Sequence, residues 1–264
     1  MNPALAHDLE SIAMLGVVVR PLLVATLLVG LWYALARALL TVRQRLLTWS
    51  VVAAVLILWL ATVWTFAALG LFERAFERAP GAGTIAQGAI LVAPTFLLVV
   101  AALTILMQSR TIAAAIDAAP LWWLVAYQGY RLTGFIFLPL WADGFLPGFF
   151  ALPAGIGDAL TGGFAIAAAI ALWRKSPWAQ PFAYAVNIFG LADLVNAITM
   201  GLLSIATSGA VSPLLMYPLP IVPSFGVPLG VIVHCLSLAV APALQNFFRG
   251  RGADRTCCPE RRVT

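Results

Sequence analysis

Seven stretches of this chain are each long and apolar enough to cross a lipid bilayer, and nothing else in the sequence restricts its fold as tightly. They cover residues 11–35, 47–71, 85–107, 121–141, 152–173, 179–207 and 225–247. A helix needs about 20 mostly apolar residues to span the hydrocarbon layer. The pattern therefore predicts an all-α, polytopic membrane protein, a bundle of about seven transmembrane helices. Composition points the same way. Of 264 residues, 62% are hydrophobic and only 9% charged, whereas soluble domains carry roughly 25% charged residues. A chain of this length cannot bury so much apolar surface in one aqueous core. A secreted disulfide scaffold, a disordered linker, a soluble nucleotide-binding or barrel enzyme and a nucleic-acid-binding domain are all excluded.

The net charge of +5 takes its meaning from where the basic residues fall. Cytoplasmic loops collect Lys and Arg. Arg37, Arg43 and Arg45 lie between the first two spans, Arg110 between the third and fourth, and Arg174 and Lys175 between the fifth and sixth. Arg249, Arg251, Arg255, Arg261 and Arg262 follow the seventh. These eleven share one side, and Arg74 and Arg78, each beside Glu73 or Glu77, lie on the other. The expected topology has an outside N-terminus and a cytoplasmic C-terminus. Residues 1–248 form the membrane domain, and 249–264 form a basic cytoplasmic tail without fixed structure. The first run lacks the basic stretch of a signal peptide and is expected to be retained. All basic residues but Lys175 are arginine, which with the many alanines fits a GC-rich bacterial genome. The expected location is the bacterial cytoplasmic (inner) membrane.

Glycine and proline mark the breaks between spans. Two segments admit more than one backbone path. Residues 145–158, FLPGFFALPAGIGD, are either a turn into the fifth span or a re-entrant segment. Residues 212–228 contain five prolines and no charge, as an extended outer cap or a broken half-helix. Irregular backbone at that depth has to be buried by protein or line a cavity.

Ionisable groups inside spans are costly, so each is a functional candidate. Arg20 lies near the outer end of the first span and is expected to snorkel. Arg131 lies near the middle of the fourth, on a face shared with Tyr127 and Gln128 by helical spacing. The sixth span carries Asn187, Asp193 and Asn196, the last two about 60° apart on one face. His234 lies mid-way along the seventh span and Asp158 in the outer part of the fifth. A polar core follows in which Arg131 pairs with Asp193 or Asp158, with Gln128, Asn187, Asn196 and His234 around it. Such a pair is either a buried structural contact or a substrate or proton site. A cavity beside the cluster would favour the site; a dry, closed core would favour the structural pair.

Other chemistries fit less well. Gly155-Ile156-Gly157-Asp158 and Pro242-Ala243-Leu244 match short motifs of intramembrane aspartyl proteases, with Asp193 or Asp143 as a second carboxylate. The two motifs fall toward opposite ends of the bundle, and such glycines also serve close helix packing. The single lysine is in a loop, which excludes a retinal Schiff base. One intramembrane histidine cannot supply two axial haem ligands or a histidine-rich di-iron site. Cys235, Cys257 and Cys258 have no disulfide or metal-site spacing. Gly226 and Gly230, four apart, suit helix packing within the fold. No metal or cofactor is expected. The expected partners are the lipid bilayer, anionic lipid headgroups at the basic tail, and a second copy or another membrane protein. Nucleic acid is not among them.

The order Tyr130-Arg131, LPGFFALPAGIGD (146–158), Asn187 through Asp193, and YPLPIVPSFGVPLGVIVHCLSL (217–238) resembles a family of bacterial multi-spanning integral membrane proteins with no assigned activity. The resemblance covers residues 122–238. Val222-Pro223 stands where that family often has Ile-Pro, and the first three spans and the tail do not share in the pattern. It implies a membrane bundle in which Arg131, Asp158, Asn187, Asp193 and His234 matter. The functional expectation is a small transporter or ligand-binding membrane protein with a polar intramembrane pocket. The alternatives are an intramembrane aspartyl enzyme using Asp158 and Asp193, and a non-catalytic subunit of a membrane complex.

Overall fold

The computed structural model describes residues 3–78, 96–105, 108–207 and 213–240, and every regular element among them is helical. Helix α1 (Pro3–Arg37) leads through a short turn into α2 (Val42–Ala68). Thr41 sets that start: its hydroxyl accepts from the Gln44 N–H while the Gln44 side chain accepts from the Thr41 N–H, which satisfies two donors at an open helix end. Gly70, at φ +64°, turns the chain into α3 (Leu71–Arg78). Helices α4 (Phe96–Ile105) and α5 (Arg110–Ala118) meet at 89°. Then follow α6 (Leu121–Tyr127), a 3-10 helix (Gln128–Ile136), α7 (Phe137–Ala142), α8 (Gly148–Trp173) and α9 (Ala179–Thr207). A π-helical turn (Val222–Gly226) runs directly into α10 (Val227–Val240).

Among the described residues five helical runs are long and apolar enough to cross a membrane: Glu10–Arg37, α2, α8, α9 and Val222–Val240. The bent pair α4–α5 is a sixth if it counts as one broken span. The protein is a polytopic, all-α membrane protein. Its exterior agrees: α2 buries only Ala53, Leu56, Val63 and Ala67, and Val51, Val55 and Leu58 stand exposed on its other sides. Apolar surface on this scale needs a lipid solvent.

The run 121–141 is not the single α-helix that its hydropathy predicts. Two short α-helices flank nine residues of 3-10 helix, and the whole rod is about 35 Å long. Gly129 and Gly134 weaken the α-helical preference there. Residues 85–95, 106–107 and 241–264, which hold parts of the third and seventh expected spans and the tail, lie outside the described residues.

Two further expectations change. Residues 148–158 are not re-entrant but form the first turns of α8, a continuous helix of 26 residues. Pro153 sits near its start, where a missing N–H matters little. The proline-rich segment is neither an extended cap nor a half-helix but a tight, buried path. Its described part has a 3-10 turn at Pro213–Leu215, a cis peptide at Tyr217–Pro218 and the π-turn. Leu214, Leu215, Leu219 and Ile221 are buried in it.

Helix α8 is the central post, packed against α6, the 3-10 helix, α7 and α9. Its buried face is made of small residues, among them Ala151, Ala154, Gly162, Ala165 and Ala168, so neighbouring backbones approach closely. At Gly162 a β-carbon would lie 2.6 Å from the backbone nitrogen of Leu132. At Gly163 it would meet nothing within 4 Å. Gly162→Ala is therefore expected to destabilise the protein by about 1–3 kcal/mol, while Gly163→Ala leaves it unchanged or slightly more stable. Thermal unfolding in detergent compares the two.

Candidate functional site

The 3-10 helix decides what Arg131 meets. Residues three apart eclipse one another in this geometry, so Gln128, Arg131 and Gly134 form one row while Tyr127, Tyr130, Thr133 and Ile136 form another. The first row faces α8, α9 and α10. Arg131, 2% exposed, has a partner at every guanidinium nitrogen. Its Nε donates to Asp158 Oδ1 at 2.6 Å, its Nη2 to Asp193 Oδ2, and its Nη1 to the Gly190 carbonyl at 2.9 Å. Nη1 also faces His234 Nε2 at 3.5 Å. Both aspartates named as alternatives for the ion pair thus hold the same arginine.

The contacts around His234 assign its tautomer. Nη1 of Arg131 only donates, so Nε2 accepts and the ring proton is on Nδ1. Nδ1 then donates to Asn187 Oδ1 at 2.8 Å, and the Asn187 amide donates to the Ala183 carbonyl at 2.8 Å. A directed chain of hydrogen bonds runs from the arginine to the backbone of α9, with His234 wholly buried within it.

Three glycines make room for these groups. A β-carbon on Gly134 or Gly157 would overlap the carboxyl of Asp158 or Asp193, respectively, and one on Gly190 would lie 2.5 Å from the His234 ring. The Gly155-Ile156-Gly157-Asp158 motif serves packing in this way: Gly157 admits Asp193, and Gly155 faces Leu138. The sequence reading named Gly157 and gave it a packing role, but missed Gly134 and Gly190, although each stands three residues from a charged cluster member. Of the glycine pair four residues apart, Gly230 packs within the fold, its β-position 2.8 Å from the Tyr130 hydroxyl, whereas a β-carbon on Gly226 would meet nothing within 4 Å.

The predicted set is not gathered whole. Gln128 is buried but donates to the Gly230 carbonyl at 3.1 Å, away from the ion pairs. Asn196 is half-buried and stands outside the network. Tyr127 does not share the face of Arg131; its hydroxyl donates to the Leu23 carbonyl of α1. Arg20 does not snorkel. It is 9% exposed, lies at 5.5 Å over the Trp64 ring and donates through Nη2 to the Pro218 carbonyl at 3.3 Å. Among the described residues no group of three or more His, Cys, Asp or Glu side chains is placed to hold a metal ion.

The cluster is not sealed. Asp158, bonded to Arg131, borders two clefts. One, of about 100 Å³, is lined by Tyr130, Arg131, Thr133, Gly134 and Ile136 of the 3-10 helix and by Arg20 of α1. The other, also of about 100 Å³, is almost wholly apolar, with Phe72, Phe96, Phe137 and Phe150 in its walls.

A family model described as a domain of unknown function (DUF8737) matches residues 85–241, which contain the whole Arg131 cluster and exclude Arg20. No curated protein and no solved structure matches the chain.

Removing one partner from a buried ion pair leaves the other charge uncompensated, at a cost of about 3–5 kcal/mol. Arg131→Gln is expected to lower stability by that amount, and adding Asp158→Asn and Asp193→Asn to recover part of it. Folded yield and melting temperature in detergent read both effects. A single Arg131→Gln protein as stable as the parent would show that the pairs contribute nothing.

Proposed function

We propose that this chain, which belongs to the DUF8737 family, is a small transporter or ligand-binding membrane protein whose ligand sits beside the Arg131 cluster. The observation that carries the reading is the position of Asp158, which bonds Arg131 and also lines both clefts. A purely structural ion pair gains nothing from bordering open space, because incomplete packing and stray water weaken it. A binding group has to border it.

Two helices that depart from α-helical winding meet at this place. The 3-10 stretch and the π-turn of the last described span join through Tyr130 to the Gly226 carbonyl at 2.8 Å and Gln128 to the Gly230 carbonyl. Nine residues of 3-10 helix are about 4–5 Å longer than the same residues as α-helix, which offers a length change for a second conformation. In this reading the rod 121–142 and the apolar run at 85–107 are spans, giving seven with the N-terminus outside and the arginine-rich loops and tail in the cytoplasm. The membrane is a bacterial inner membrane, and the tail rests against anionic lipid headgroups.

The aspartyl-enzyme alternative is less well supported. Asp158 and Asp193 accept from adjacent nitrogens of one guanidinium, which occupies oxygens that two carboxylates would need to share a reacting water.

Cysteine labelling tests the cleft. In a background with Cys235, Cys257 and Cys258 changed to Ser, Thr133→Cys lies in the cleft wall and Val125→Cys in the closed core. N-ethylmaleimide is expected to modify the first and spare the second in reconstituted protein, as read by intact mass. Equal protection of both would remove the basis of the proposal.

A further inference from the structure

Arg20 is the one cleft-lining group that the Arg131 network does not explain. Its guanidinium folds back along α1 over Gly16, whose lack of a side chain leaves the space. Nη2 has the Pro218 carbonyl, but Nη1 is buried and has no hydrogen-bond partner. Among the described residues the ion pairs of Asp158 and Asp193 are with Arg131, and none joins a carboxylate to Arg20. Arginine remains charged in any protein environment, and a buried charged donor without an acceptor is strongly unfavourable. The residue lines the cleft beside Tyr130 and Thr133, so the missing acceptor has a place to sit.

The rest of the cleft describes the remainder of the ligand. Tyr130 and Thr133 are its other uncharged polar side chains, and both hydroxyls already donate, to the Gly226 and Tyr130 carbonyls. They remain free only to accept, so Arg20 supplies the donor for a ligand oxygen. Phe137, Asp158, Leu194, Leu219, Val222 and Val227 line both clefts and stand between them. The rest of the Arg20 cleft is apolar, with Ile12, Leu15, Val19, Ile136 and Phe225 in its walls, and suits a hydrocarbon chain. The charges limit the headgroup. Arg20 brings one positive charge without a carboxylate in ion-pair contact, which matches one negative charge. A multiply charged group would add repulsion from Asp158 at the same cleft.

We propose that Arg20 anchors the oxyanion of a singly charged amphiphile, a carboxylate or phosphate diester, whose apolar chain lies along Leu15, Val19 and Phe225 of the same cleft. This rests on the ligand-binding reading above and names the ligand class and its anchor. The group belongs either to a free single-chain acid or to a phospholipid of the surrounding bilayer.

Binding is measured on the full chain in dodecyl maltoside, by thermal shift and native mass spectrometry, with dodecanoate as the probe. Dodecanoate is expected to raise the melting temperature saturably. Dodecanol, dodecyltrimethylammonium and acetate are not, because each lacks either the anion or the chain. Arg20→Gln is expected to weaken dodecanoate about tenfold to a hundredfold, with Arg20→Lys between. Should Arg20→Gln fail to fold, protection serves instead: dodecanoate, and not dodecyltrimethylammonium, slows N-ethylmaleimide at Thr133→Cys in the Arg20 background. Phosphatidylglycerol in nanodiscs displacing dodecanoate identifies a lipid headgroup as the source, and no displacement identifies a free acid; both outcomes support the anchor. Equal binding of dodecanol, or undiminished binding by Arg20→Gln, overturns it. If Thr133→Cys is labelled yet dodecanoate neither binds nor protects, the cleft stands and the anchor falls. If Thr133→Cys is not labelled, both fall.

Discussion

The guanidinium of Arg131 is the constraint around which the described part of this bundle is arranged. A charge in the middle of a membrane domain has to find anions and acceptors inside the protein, since lipid offers none. Here it finds one carboxylate on α8, another on α9, a carbonyl on α9 and a histidine on α10. One planar group thus ties three helices to the 3-10 segment that carries it. The requirement reaches into the backbone. Gly134, Gly157 and Gly190 are each needed because a side chain there would displace one of the groups around the arginine. Gly162 then lets α8 come close enough to the 3-10 helix for the contacts to close.

A second constraint is the satisfaction of irregular backbone. Pro228 cannot donate to the Ser224 carbonyl four residues back, and the Trp59 indole N–H bonds that carbonyl instead, at 3.1 Å. Arg20 takes the Pro218 carbonyl, Tyr130 the Gly226 carbonyl and Gln128 the Gly230 carbonyl. Side chains from α1, α2 and the 3-10 helix therefore bond carbonyls along the proline-rich segment and the first turn of α10. The polar residues of this protein divide into two tasks on that basis. Gln128, Tyr130 and Trp59 hold backbone in place, whereas Arg131, Asp158, Asp193, His234 and Asn187 compensate charge. Arg20 does the first with one nitrogen and leaves another open toward the cleft, which is why it stands apart from both groups.

Much of the polar core was legible before any fold was known. Arg131, Asp158, Asp193, Asn187 and His234 stand out because an apolar chain keeps so few polar groups at mid-span, and those few must meet. Gln128 and Asn196 were included by the same reasoning, yet only the first is buried. Periodicity cannot tell a residue that faces the cluster from one a turn away when the helix is not α-helical throughout. Arg20 was misread for a related reason. Distance along a span suggests whether a side chain can reach the interface, but Gly16 and Trp64, which hold it inward, act through three-dimensional packing.

The sequence by itself determined the solvent, the helical class and the short list of charged residues. Each follows from transfer free energies summed along the chain, and these do not depend on which helix neighbours which. Tertiary structure alone decided that one arginine takes both aspartates, that residues 128–136 wind as a 3-10 helix, and that the cluster opens on two clefts instead of closing on itself. Those outcomes depend on the close approach of backbones at glycines far apart in sequence, and on carbonyls released by prolines in one helix being claimed by side chains of another. Such contacts have no signature along a single chain, because the partner that makes each one favourable is set by the packing itself.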